Sequence, residues 1–308
     1  MELRNVGSSD LVVSIAGLGC NNFGMRADES RSAEIVHAAL DAGITLFDTA
    51  RMYGGGRSEE FLGAALRGHR AEVVIATKFG APTGPDDRNG SRATVMASVE
   101  ESLSALGTDY IDLFQMHYSD ARTPIEETLS ALTGLVHQGK VRYVGCSNFT
   151  GWQVADAHWV SETKQLASFV SLQNEWSLLV RGIETEVLGA CERFGLGVLP
   201  YFPLASGVLT GKVRRGETPP EGSRLHVPYF ATYLTDANQD KLDRLDEWCA
   251  RNGRTLHEVA LSYLASHPVT ASVIAGASSP EQARANAAAT HTDLTPEQRA
   301  EIAAAVDG

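Results

Sequence analysis

The chain has 308 residues, enough for one large core, and its 26 basic against 38 acidic side chains leave a formal charge of −12. With no Lys/Arg cluster, that balance argues against nucleic acid or an anionic membrane surface as a partner, yet a local pocket can still be basic enough for a phosphate-bearing cofactor. No stretch reaches the roughly 20 apolar residues that cross a bilayer. The opening MELRNVGSSD lacks the apolar centre of a secretory signal, so a cytoplasmic location is expected. Cys20, Cys146, Cys191 and Cys249 lie far apart with no CxxC pair or Cys/His spacing, which predicts reduced thiols and no metal site.

Along the chain, short β-branched runs alternate with longer amphipathic segments. The first run, Val13–Leu18, leads through the candidate cap Asp28-Glu29-Ser30 to helical spacing at Ile35, Ala39 and Leu40. After Gly43 comes Thr45–Asp48, then Ser58-Glu59-Glu60 opening a helix with Phe61, Leu62, Ala65 and Leu66 on one face. Val73–Lys78 is followed by a helical face of Val95, Val99, Leu103 and Leu106, which Gly107 stops. Ile111–His117 precedes a helix whose first turn is marked by Pro124, Glu126 and Glu127 and which ends at Gly139. Val141–Cys146, Phe169–Gln173, Gly197–Tyr201 (after a stop at Gly195) and Ser272–Gly276 complete eight strands, and Pro296–Val306 is a final helix. Eight such alternations predict an α/β fold, a (β/α)8 TIM barrel with long rim loops and a C-terminal helix, ahead of an open doubly wound sheet. No Pro/Gly/Ser-rich linker divides the chain, so residues 1–308 are read as one domain, and the irregular stretch Ala205–Leu234 is read as a lid-like loop.

Four of the apolar runs end on a polar residue: Asp48, Lys78, His117 and Gln173. Singly, an Asp suits a helix cap, a His a structural hydrogen bond and a Lys a snorkelling position. In a parallel barrel, however, these ends share one rim, where active sites lie. Tyr53 follows Asp48 by five residues in Thr49-Ala50-Arg51-Met52-Tyr53-Gly54-Gly55-Gly56, whose glycines give the loop freedom to bring the ring over the rim. A tyrosine ionises near pH 10, too high for efficient acid–base work at neutrality, and a nearby ammonium favours its phenolate. Asp48 would hold Lys78 charged, and His117 could orient a carbonyl. These groups suit proton delivery to a carbonyl oxygen but supply no hydride, so a cofactor is required.

At these residues the sequence resembles the aldo-keto reductase family. The resemblance is carried by Phe47-Asp48-Thr49-Ala50 with Tyr53-Gly54 and Ser58-Glu59, by Thr77-Lys78, by Gln115-Met116-His117 and by Gly145-Cys146-Ser147-Asn148-Phe149. It continues through Gln173-Asn174, Tyr201-Phe202-Pro203-Leu204 with Gly207, Leu209, Gly211 and Lys212, and Gly276-Ala277-Ser278-Ser279-Pro280-Glu281-Gln282 with Asn286. The family implies reduction of aldehydes or ketones with Tyr53 as general acid, Lys78 lowering its pKa, Asp48 orienting Lys78 and His117 placing a small-molecule carbonyl. It further implies that Ser147, Asn148 and Gln173 hold the carboxamide and that Tyr201 stacks on the nicotinamide. Pro203, Leu204, Ser206, Gly207, Leu209, Gly211 and Lys212 would cover the pyrophosphate, with Gly276, Ala277, Ser278, Gln282 and Asn286 at the adenosine end. No GxGxxG follows the first strand, which argues against a Rossmann dehydrogenase.

Arg51 stands where an acidic or neutral residue is frequent, Phe202 where serine is and Ala275 where proline is, while Gly276 and Gln282 occupy places where well-known members carry Lys and Arg. That pattern resembles the subgroup of potassium-channel β subunits and related bacterial reductases. NADP(H) is the expected cofactor, with NAD(H) possible, and Arg224, Lys212, Ser278 and Gln282 are candidates for gripping its extra phosphate. Phe23, Met25, Met52, Tyr118, Trp176, Tyr229 and Phe230 are candidate pocket walls. The alternative is an NADP(H)-binding regulatory or redox-sensing subunit with little turnover. A metal-dependent barrel hydrolase is disfavoured, since no His and carboxylate cluster falls at strand ends. Oligomeric state is not legible.

Overall fold

The computed structural model describes every residue except 83, 85, 86, 88 and 214. The chain begins with an antiparallel hairpin, β1 (Leu3–Asn5) and β2 (Val12–Ser14). Eight parallel strands follow: β3 (Ala16–Gly19), β4 (Leu46–Asp48), β5 (Val74–Phe79), β6 (Ile111–Met116), β7 (Val141–Ser147), β8 (Phe169–Gln173), β9 (Gly197–Val198) and β10 (Val273–Gly276). They run in spatial order β10-β3-β4-β5-β6-β7-β8-β9, and parallel bridges Val198↔Thr270 and Tyr201↔Ile274 bring the last strand back to the first. This is the expected (β/α)8 barrel.

The outer layer is α1 (Glu29–Asp41), α2 (Arg57–Ala65), α3 (Arg92–Leu106), α4 (Ile125–His137), α5 (Gly151–Lys164), α6 (Val187–Phe194), α9 (Leu256–Ala265) and α10 (Pro280–Ala289). Three more helices, α7 (Pro228–Ala231), α8 (Asp236–Asn252) and α11 (Pro296–Asp307), lie outside the eightfold pattern, and α8 packs on α11. Local sequence dictates many of the boundaries. The Asp28 side chain accepts from Arg31 N, Ser91 from Thr94 N and Ser279 from Gln282 N, while Gly107, Gly195 and Gly253 close helices in the left-handed region.

Strand parity sorts the core. Leu46, Val74, Ala76, Leu113, Leu199 and Ile274 form an inner cluster, whereas Phe47, Ile75, Phe114, Val144, Leu172 and Val273 belong to the cluster shared with the helices. This follows from the two-residue period of a strand. Continuing the inner columns upward by two reaches Asp48, Lys78, Gln115, His117 and Gln173, so the apolar filling gives way to polar groups at one end.

The run Val13–Leu18 is not a single strand as expected. It breaks at Ile15 into the end of the hairpin and the start of the barrel wall. Val6, Leu11 and Val13 of the hairpin belong to the inner apolar cluster and plug the barrel's lower end. Arg4 fixes the plug by donating to Ala265 O at 2.8 Å and Thr270 O at 3.0 Å. The expected strand Gly197–Tyr201 shrinks to Gly197–Val198, with Tyr201 held by isolated bridges to Glu175 and Ile274. Segment 205–234, whose position 214 lies outside the described residues, carries short helical turns at Ala205–Thr210 and Arg224–His226 and then α7. All four cysteines are free and buried.

Two helical glycines separate packing from propensity. A Cβ at Gly63 in α2 would fall 2.2 Å from Leu106 O of α3, whereas one at Gly134 in α4 meets nothing within 4 Å. Gly134→Ala is expected to raise stability by about 0.5–1 kcal/mol through backbone entropy, and Gly63→Ala to lower it. Urea unfolding of both variants checks the pair; equal effects would contradict the α2–α3 packing.

Candidate active site

Lys78 is the buried centre of the upper end. Its Nζ donates to Asp48 Oδ1 at 2.8 Å, Asp48 Oδ2 at 2.7 Å and the carbonyl of Thr49 at 2.9 Å. Its side chain is 0% exposed and that of Asp48 5%. Burial opposes the ammonium, but Asp48 and then Tyr53 outweigh it, and Lys78 is held above the ordinary lysine range. Gln173 Nε2 donates to Asp48 Oδ1 at 2.8 Å and Gln115 Nε2 reaches the same oxygen at 3.5 Å. The carboxylate is therefore oriented from three strands.

Tyr53 stands beside this pair, with Lys78 Nζ 5.1 Å from its ring centroid. Burial pushes the phenol above its ordinary value; the Lys78 charge acts the other way without overcoming it. The expected sign of the lysine's influence is present, but the net shift is upward, because desolvation of a phenolate at this depth is the larger effect. Tyr53 is thus a firmly protonated group. His117 meets Tyr53 edge to face at 6.0 Å and stacks on Tyr118 at 4.8 Å. Burial, and then the Lys78 charge, pull His117 down to about 3, so its imidazole is neutral.

A cavity of about 200 Å³ opens over these groups, lined by Asp48, Tyr53, His117, Ser147, Asn148, Gln173, Tyr201, Arg224 and Gly276 among others. The expected residues at the nicotinamide end are tied together: Tyr201 O–H donates to Asn148 Oδ1 at 2.9 Å, Asn148 Nδ2 to His117 O at 2.9 Å, and Ser147 Oγ to Gln173 O at 2.7 Å. Asn148 adopts a left-handed φ of 59° to do so. Met52, Tyr118 and Tyr229 form walls as expected. Phe23 and Trp176 do not; both are fully buried, Trp176 with its Nε1 on Glu184, because each fills core volume beneath the rim. Met25 is largely exposed, and Phe230 stands edge-on to Phe202, 5.3 Å below the Arg224 guanidinium.

The remaining expected cofactor residues lie beyond the cavity lining. Pro203 and Leu204 lead into the turn holding Ser206, Gly207 and Leu209, which Gly211 ends with Lys212 next. Phe202, Ala205 and Ser206 are consecutive-region non-glycine residues with φ of 52°, 45° and 58°, an uncommon concentration of left-handed backbone. The Ser206 hydroxyl is buried with no hydrogen-bond partner among the described residues. At the other side, Ala277 O accepts from Asn22 Nδ2 at 2.8 Å, Ser278 N and Oγ donate to Gln282 Oε1, and Asn286 Nδ2 donates to Gly276 O at 3.3 Å. Arg224 donates to Asn21 and Asn22 Oδ1 and, among the described residues, to no carboxylate. Burial and neighbouring Arg26 lower it to about 10. An orphaned hydroxyl, a cation without an anion and the N-terminus of α10 all fit an anionic, phosphate-bearing ligand.

Sequence reasoning missed Gln115, Asn21, Asn22 and Arg26. Gln115 was accessible, since it shares inward parity with His117 just past β6; Asn21, Asn22 and Arg26, in the loop after β3, meet Arg224, Ala277 and Gly222 only through the tertiary fold. Among the described residues no group of His, Cys and carboxylates could hold a metal, and no helix is long and apolar enough to cross a membrane.

The family model described as Aldo/keto reductase family matches residues 16–307. The chain is 37% identical over 297 residues to an uncharacterised oxidoreductase of Bacillus subtilis, covering 92% of this chain and 89% of the relative. It is 34% identical over 292 residues to a probable voltage-gated potassium channel subunit beta of Oryza sativa subsp. japonica, with 92% and 89% covered. It is 35% identical over 314 residues to the L-glyceraldehyde 3-phosphate reductase of Escherichia coli O157:H7, with 93% and 86% covered.

Two outcomes test the site's electrostatics. Lys78→Met leaves Asp48 buried beside two amides and no cation, and should cost about 3–5 kcal/mol of stability, measured by urea denaturation. The His117 imidazole should remain neutral at pH 5, because its folded value near 3 lies below the ordinary 6.5; side-chain NMR showing it titrating near pH 6.5 would contradict the burial argument.

Proposed function

The chain belongs to the aldo/keto reductase family, and on that premise we propose that it reduces aldehydes or ketones to alcohols with NADPH, Tyr53 supplying the proton. The observation that carries this reading is a half-buried phenol 5.1 Å from a carboxylate-bound ammonium, lining one cavity with the His117 imidazole. Reduced nicotinamide supplies hydride to the carbonyl carbon when bound. Tyr53 O–H then gives its proton to the carbonyl oxygen. The resulting phenolate is stabilised by Lys78, whose charge Asp48 maintains, so the pair favours the product state of the transfer. Neutral His117 donates one N–H toward the same oxygen and fixes its direction. Ser147, Asn148 and Gln173 form the cavity wall for a carboxamide, with Tyr201 as the stacking face. Ser206, Gly207 and the segment to Lys212 would cover the pyrophosphate, and Arg224, Ser278 and Gln282 the adenosine end.

In this reading Gln173 orients Asp48 with its amide nitrogen and has its oxygen left for a carboxamide N–H. Preference for NADPH follows from Arg224, whose guanidinium has, among the described residues, no carboxylate partner at the mouth. Some relatives are named as channel β subunits; a regulatory role of that kind predicts cofactor binding without sustained turnover, which a steady-state assay separates from catalysis.

Tyr53→Phe is expected to keep cofactor affinity and lose on the order of 10² to 10⁴ in rate, read by NADPH oxidation with 4-nitrobenzaldehyde. Near-wild-type turnover would remove Tyr53 from the role. Titration of both cofactors should show tighter NADPH than NADH in the wild type and a narrowed difference in Arg224→Ala; equal wild-type affinities would sink the preference.

A further inference from the structure

We propose that Arg51 and Glu59 are positioning residues, a strut buried at its Glu59 end that holds the Tyr53 loop against the strand carrying Lys78. The inference rests on the reading of Tyr53 as the proton donor. The three residues after Tyr53 are Gly54, Gly55 and Gly56, with φ of 61°, 67° and 94°. Such a segment has little stiffness of its own, so side chains must hold the ring in place. Arg57 does part of this, donating to Gly54 O at 3.2 Å and Gly24 O at 2.6 Å.

Arg51 does the rest from beneath. Its guanidinium packs under the loop where any side chain at position 56 would lie: a Cβ on Gly56 would be 2.3 Å from Nη1. Its Nε donates to Glu101 Oε2 at 3.2 Å and lies 4.0 Å from Glu59 Oε2. The Glu59 side chain is 0% exposed, and its other oxygen accepts from Thr77 Oγ1 at 2.6 Å. Thr77 immediately precedes Lys78. A continuous path therefore runs from the loop bearing the phenol, through Arg51 and Glu59, to the strand bearing the ammonium.

The pair also carries unfilled bonding capacity. Arg51 Nη1 and Glu59 Oε2 are both buried and, among the described residues, neither has a hydrogen-bond partner. A buried carboxylate requires a compensating charge, and Arg51 is the cation facing it, with Glu101 the further charged neighbour among the described residues. Burial pushes the Glu59 carboxyl up, against the hydrogen bond from Thr77 and the Arg51 charge. Acid therefore neutralises Glu59 above the ordinary carboxylate range and leaves Arg51 held by Glu101 alone, so the strut weakens and turnover falls on the acid side.

The test is NADPH-dependent reduction of 4-nitrobenzaldehyde by full-length R51M, R51K, E59Q, R51M/E59Q and Y53F across pH. R51M and E59Q should lose on the order of 10- to 100-fold in kcat, the scale of a misplaced reacting group, with KM for NADPH unchanged. R51K should recover part of the loss, the double variant should be no worse than the poorer single one, and E59Q should lack the acid limb. Ultraviolet titration of the phenol, referenced to Y53F, reads the same displacement without turnover: Tyr53 should ionise at lower pH in R51M, because it leaves its buried seat. Wild-type kcat, pH profile and phenol titration in R51M, with Y53F inactive, overturn the strut; a lowered Tm alone does the same. Full activity in Y53F overturns the underlying reading instead. Should E59Q not fold, R51M and R51K at the partly exposed end decide the matter.

Discussion

A lysine with no exposed side-chain surface needs an anion, and Lys78 finds it in Asp48 on the neighbouring strand. That ion pair organises the upper end of the barrel. Gln173 and Gln115 converge on Asp48 Oδ1, the Thr49 carbonyl takes a further ammonium contact, and burial together with the same charge sets the chemistry of Tyr53 and His117. A buried pair of this kind contributes little net stability, since desolvation offsets most of the attraction. Its retention at a cavity makes sense as a fixed field. The cost of desolving the ions is met during folding, and no reorganisation is needed when a charge develops on the phenol.

The barrel separates stability from chemistry along one axis. In its lower half the inward columns carry Leu46, Val74 and Leu113, sealed by Val6, Leu11 and Val13; in its upper half the same columns carry Asp48, Lys78 and Gln115, joined by Gln173 from β8. The upper groups can be polar because they satisfy one another, and the apolar layer beneath keeps water from reaching them from below. The lid, with Arg224 spanning to Asn21 and Asn22, limits access from above.

Much of this was legible in the sequence. Eight strand–helix alternations were enough for the barrel, and polar residues terminating apolar runs identified Asp48, Lys78, His117 and Gln173. Parity along β6 would have added Gln115. Three things were not legible, for distinct reasons. The hairpin strands are only three residues each and run into Val13–Leu18 without a turn signal, so the break at Ile15 is imposed by tertiary packing. The direction of the Tyr53 shift depends on depth of burial, which no local pattern encodes, and it reversed the expected balance between ammonium and desolvation. Trp176 and Phe23 look like pocket aromatics in sequence, but whether an aromatic at a strand end points into a cavity or into the helical layer is decided by the loop that follows.

The hairpin has a consequence for how the molecule is assembled on the ribosome. Its residues are made well before the groups that receive them: a Cβ on Gly7 would fall 2.1 Å from Gly195 O and 2.6 Å from Gly197 N, and Arg4 binds carbonyls at Ala265 and Thr270. Throughout most of synthesis the plug has no seat, and the nascent wall has an open, apolar lower end. Sealing is thus a late, long-range event that reports closure of the ring. In this sense the hairpin registers the arrival of the last strands.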